Sequence, residues 1–216
     1  MTIDIYIETG AKRVFAGAID WPGWCRRART DDEAIEALFA YGSRYAKVVA
    51  RRRLGFESPA RITSLRVRER LDGNATTDFG APAIAPAGDE RRPTEEAVDR
   101  QLVILAACWS ALDRAEGAAE GRELTKGPRG GGRSVEKIVA HVADAEGAYL
   151  GKLGYRPGDD TRAGAAAAFA AAARGGPPER VPRSGRLWSP RYFARRTAWH
   201  ALDHAWEIED RLPRND

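Results

Sequence analysis

Histidine is scarce in this chain: its 216 residues include three, His141, His200 and His204. Cysteine is scarcer still, with Cys25 and Cys108 alone, and neither stands at a metal-binding or redox spacing. A chain of this length needs no covalent staple, so both are expected to be free thiols, with Cys108 a small core residue of LVILAACWSAL. No apolar run approaches the roughly 20 residues of a membrane span. The opening stretch, MTIDIYIETGAKRVF, lacks the charged head, apolar middle and cleavage site of a signal peptide. A cytoplasmic protein is the expectation.

What is present is enough for folded cores: 43% hydrophobic and 31% charged residues, in a length that suits one large domain or two small ones. The net charge of +4 is unevenly spread, concentrating in KVVARRR (47–53) and ARITSLRVRERL (60–71). A basic stripe can bind phosphates. Here acidic residues are interspersed and no aromatic residues alternate with the arginines. A solvated face is expected instead, with no nucleic-acid partner.

Periodicity changes along the chain. In TIDIYIET, Ile3, Ile5 and Ile7 alternate with Asp4, Tyr6 and Glu8, the pattern of a half-buried strand. VFAGAID follows after a turn, suggesting a hairpin, and WPGW (21–24) breaks it with Pro22 and Gly23. WPGW reads as a structural turn with core tryptophans. From Thr30 the apolar residues Ala34, Ile35, Leu38, Tyr41 and Tyr45 recur at helical spacing, behind a cap and an acidic first turn. ARITSLRVRERL alternates again as a strand. Residues 72–93 are rich in Gly, Pro, Ala, Asn and Asp without a sustained period; they predict a linker holding one short strand around Phe79.

Helices dominate beyond it. Four are expected: one from Pro93–Thr94, one from about Val135 to Leu153 behind Ser134, an alanine-rich one at 161–176, and one opened by Ser189 and Pro190. Four helices in about 120 residues suggest a bundle. The predicted class is thus α+β, with a small α+β domain over 1–88 and an all-α four-helix bundle over 89–216.

All three histidines fall in the helical half. His200 and His204, in WHALDHAWEIED, are four apart and share a helix face, so they could clip one ion between them. His141, in SVEKIVAHVADAEGAYL, lies beside the apolar face of another helix. Two imidazoles bind weakly; a third from a facing helix completes a site and leaves positions open for water or substrate. Carboxylates stand one turn away: Asp144 after His141, Asp203 after His200, Glu207 after His204. They could orient ligand rings or accept a proton.

The pattern SVEKIVAHVADAE, followed about 60 residues later by WHALDHAWEIEDR, resembles the DinB/YfiT-like superfamily of metal-binding four-helix bundles. The resemblance covers roughly residues 94–212. It implies a divalent metal, zinc or nickel, held by His141, His200 and His204. It also implies chemistry of the thiol S-transferase, isomerase or hydrolase type, with a low-molecular-weight thiol such as bacillithiol or mycothiol as co-substrate, and a homodimer. In the front half, VFAGAIDWPGWCRRARTDDEAIEAL resembles the HicB-like fold, departing from it at Arg29, where a glycine is usual. That likeness implies a small α+β fold and no antitoxin function.

The reading that follows is a metal-dependent enzyme acting on a small molecule. The ion makes a thiol or water more acidic. Asp144 or Glu207 assists proton transfer, while Trp199, Asp203 and the alanine-rich helix line a substrate pocket. The alternative is a non-catalytic binding or scaffold protein on the same helices. Imidazole ligands do not distinguish zinc from nickel.

Overall fold

A computed structural model describes residues 2–52, 54–126, 132–158, 160–181 and 186–213. The chain divides into two compact units, Met1–Arg92 and Pro93–Asp216, and its class is mixed α+β, as the periodicities predict. Among the described residues, no helix is long and apolar enough to cross a membrane.

The first unit is built on a four-stranded sheet in the order β3-β2-β1-β4. β1 (Ile3–Thr9) and β2 (Val14–Ala18) form the hairpin, β3 (Cys25–Ala28) extends it antiparallel, and β4 (Leu65–Asp72) pairs with β1 in parallel. β1 is therefore an interior strand, and Tyr6 and Glu8 are buried along with the isoleucines that alternate with them. Gly17, paired with Tyr6 across the hairpin, leaves room for the phenol, since a Cβ there would lie 2.5 Å from its ring.

Glu8 explains the fate of residues 72–93. Its buried carboxylate accepts hydrogen bonds from the Thr77 hydroxyl (2.5 Å) and from the backbone N–H groups of Ala83 (2.8 Å) and Ile84 (3.2 Å). Those bonds anchor the expected linker to β1. The segment carries a helix, α3 (Ala75–Phe79), capped by Asn74, where a strand around Phe79 was expected, and Phe79 itself is exposed. Composition alone cannot register a distant carboxylate that satisfies a glycine- and proline-rich backbone.

The expected helix from Thr30 is two: α1 (Asp31–Ala40), capped by the Thr30 side chain, and α2 (Gly42–Val49), joined at Tyr41. WPGW is a core feature. The indole N–H of Trp24 donates to the Leu38 carbonyl (2.9 Å), and the Tyr45 hydroxyl donates to the Pro22 carbonyl (2.9 Å). Phe56 sits edge-on within the group, 4.7 Å from Trp21, 5.2 Å from Trp24 and 5.0 Å from Tyr45 between ring centres.

The second unit holds α4 (Glu95–Ala118), α5 (Val135–Leu153), α6 (Thr161–Ala173) and α7 (Pro190–Arg211), each opened by a capping side chain: Thr94, Ser134, Asp160 and Ser189. α7 packs against α4, α5 and α6, and it runs buried without interruption from Tyr192 to Leu202. The alanine-rich α6 places Ala165, Ala168, Phe169 and Ala173 inward; small side chains there permit close helix approach. Cys25 and Cys108 are buried free thiols, and burial pushes the Cys108 thiol well above its ordinary value.

One buried carboxyl makes the second unit sensitive to pH. The Trp109 indole N–H donates to Glu146 Oε1 at 2.6 Å, and Glu146 is only 2% exposed. Burial pushes its carboxyl up to about 6 from an ordinary 4.5, against the indole's opposing pull. Between those two values the folded protein keeps a proton that the unfolded chain has released. Stability therefore falls as pH rises from 4.5 to about 6 and then levels off, a loss of about 2 kcal/mol. Glu146→Gln, which keeps an acceptor for Trp109, should remove this component in urea unfolding curves taken across that range. An unchanged difference between wild type and variant at all pH values would contradict it.

Candidate metal centre

Helical geometry puts His200 and His204 on one face of α7, and the packing of α5 against α7 brings His141 opposite them. The ring centres of His141 and His200 are 5.1 Å apart, those of His141 and His204 also 5.1 Å, and those of His200 and His204 4.7 Å. One donor atom from each lies within 4.8 Å of the other two. The rings meet at 73–87°, so they converge edge to face and do not stack. Nitrogens around a tetrahedral ion at roughly 2.1 Å stand about 3.4 Å apart; small ring rotations would close the remaining distance. The three histidines are close enough to bind a metal ion.

His204 is the most firmly oriented of the three. Its Nδ1 lies 2.8 Å from Glu207 Oε2, and the other carboxylate oxygen accepts from the Arg211 guanidinium at 2.9 Å. Arg211 in turn donates to the carbonyls of Thr125 (3.0 Å) and Arg133 (2.9 Å). With Glu207 a carboxylate, Nδ1–H is the donor and Nε2 carries the lone pair. The His204 bond, aided by Arg211, holds the Glu207 carboxyl below its ordinary value despite burial. Glu207 is thus committed to orientation by both of its oxygens.

His200 is 6% exposed, and its buried Nδ1 has no hydrogen-bond partner among the described residues. Burial pushes it down to about 2, and the charges acting on it, those of His204, His141, Arg196 and Arg133, add to the effect. His141 is half-buried; burial lowers it too, followed by the influence of His204. A neutral imidazole with an unclaimed lone pair is what a divalent ion requires of a ligand. An unsatisfied buried nitrogen otherwise costs about 1–3 kcal/mol. The donor set fits a borderline ion that favours imidazole.

The other residues predicted from sequence occupy distinct places. Asp144 is exposed on α5, one turn beyond His141, whose ring feels its charge. Trp199 is buried, its ring centre 5.7 Å from that of His200. Asp203 is half-buried on α7. Sequence reasoning missed Arg211, although its position four residues after Glu207 was a visible signal, and Arg196, four residues before His200. The Arg196 guanidinium lies over the rings of Trp199 (4.9 Å) and Tyr149 (5.5 Å), and Tyr149 borders His200 at 5.8 Å. No family model, curated protein or solved structure matches this chain.

The Glu207 contact predicts a measurable effect. Glu207→Ala should leave the helix content by circular dichroism unchanged and weaken zinc binding about 10- to 100-fold in a competitive chelator titration, the usual loss when an orienting partner is removed. Wild-type affinity in the variant would assign Glu207 no part in positioning His204.

Proposed function

We propose that this protein is a DinB-like divalent-metal protein in which α4–α7 form the four-helix bundle, with zinc or nickel held by His141, His200 and His204. We further propose that it works as a metal-dependent enzyme of the thiol S-transferase or hydrolase type, on a small-molecule substrate. The observation that carries this reading is the convergence of all three histidines of the chain from two helices. The unclaimed Nδ1 of His200 and the Glu207–His204 contact support it, because each has the form expected around a metal ligand.

An ion bound there would supply Lewis acidity, making a thiol or a water acidic enough to react near neutral pH. The chain's own residues divide the remaining work. Glu207 and Arg211 hold the His204 ring in one orientation. Asp144, exposed beside His141, is the carboxylate available to take a proton toward solvent. Trp199 and Tyr149 border the His200 ring, and the Arg196 guanidinium lies over both. A low-molecular-weight thiol is the co-substrate in the transferase form of this reading.

Elemental analysis of untagged protein purified without chelator tests the assignment. About one zinc or nickel per chain is expected, with the metal lost in His204→Ala. Protein that stays metal-free after incubation with both ions, or a variant that keeps stoichiometric metal, would overturn it.

A further inference from the structure

A second feature of the helical unit lies apart from the histidines. Five positions along α5 from His141, on a different face of the helix, Glu146 lines a cavity of about 330 Å³ with Val139, Ala143, Asp160, Thr161 and Arg162. Ala143 and Asp160 are exposed, so the cavity has access to solvent, while Glu146 is 98% buried on its wall, being only 2% exposed. Its Oε1 accepts from Trp109; no described residue donates to Oε2.

The other charged groups of the cavity already have partners. Asp160 Oδ1 accepts from the backbone N–H groups of Arg162 (3.0 Å) and Ala163 (2.9 Å), as the cap of α6. Arg162 is paired with Asp113, and its charge also reaches Glu146 without a hydrogen bond between them. Charge therefore runs toward the acidic side, with Glu146 the group whose hydrogen-bonding capacity is unfilled. Val139 and Ala143 add apolar wall. A buried carboxylate oxygen beside apolar surface selects a donor of opposite charge on a short hydrocarbon stem, because a charge-assisted bond offsets the desolvation of both partners. An anion would meet two carboxylates, Glu146 and Asp160, against the single cation Arg162, whose charge Asp113 already offsets.

We infer that the α5–α6 cavity is a binding site for a small primary ammonium group, which donates to Glu146 Oε2 while its stem lies against Val139 and Ala143. The ligand class is an alkylammonium ion, bound independently of any metal at the histidines. Trp109 reports on the event directly, since its indole N–H shares the carboxylate with the ligand.

The test is a titration of the full-length protein with ethylammonium chloride at constant ionic strength, following the assigned Trp109 indole ¹H–¹⁵N resonance. Ethanol serves as the neutral analogue of the same size. A saturable shift with ethylammonium is expected in the millimolar range that three heavy atoms allow. Ethanol should give no saturable shift, and Glu146→Gln should weaken ethylammonium binding at least tenfold. The variant retains an acceptor for Trp109, and its own spectrum establishes that it is folded. A linear response in the wild type, an equal response to ethanol, or undiminished binding by Glu146→Gln would each overturn the inference.

Discussion

The candidate centre depends on one constraint: α7 must be held so that two imidazoles a turn apart on it face a third from α5. Helix periodicity supplies the first half of that condition without help from the rest of the protein. The second half requires tertiary structure. α7 lies against α4, α5 and α6, and buried side chains from Tyr192 to Leu202 leave it no freedom to rotate. Rotation by a single residue, about 100°, would take His200 and His204 off the His141 face. The cluster is as rigid as the core that carries it.

Burial has a second consequence, since the packing that orients these rings also keeps them neutral. Removing His200 from water disfavours its charged form strongly, and the cations Arg196 and Arg133 add to that effect. Protons are thereby denied to the lone pairs that a metal would use. The counterpart is Glu207, held as a carboxylate by His204 and Arg211 at the end of α7, which gives the His204 ring a single hydrogen-bonded tautomer. Glu146 shows the opposite case in the same unit: a buried carboxyl with one indole donor and no cation bonded to it, whose pKa is pushed upward. The two carboxyls thus shift in opposite directions, decided by how deeply each lies and by what it touches.

Much of this was legible in the sequence where a local rule decides the outcome. Caps at Thr30, Thr94, Ser134 and Ser189 mark helix starts because a side-chain oxygen must satisfy orphan N–H groups within three residues. The i, i+4 pair on α7 is local too, and so is the period of β1. Effects that reach across the chain were not legible. Burial of Glu8 follows from contacts with Thr77, Ala83 and Ile84, some seventy residues further along the chain. The folding of 72–93 follows from Glu8. The aromatic group around Phe56 shows the same limit: WPGW reads as a turn, but the residue its tryptophans enclose comes from a loop without periodic signal. For the histidines, spacing gave the pair, while the meeting with His141 came from helix packing and from a resemblance resting on two short motifs.

The central claim is that three imidazoles from α5 and α7 hold one divalent ion. X-ray absorption at the zinc edge, on protein loaded with one equivalent of zinc, addresses it most directly. The account predicts a first shell of nitrogen and oxygen at roughly 2.0–2.1 Å, with the multiple-scattering signature of three imidazoles and no sulfur. A shell containing sulfur at about 2.3 Å, or one of oxygen alone, would contradict it.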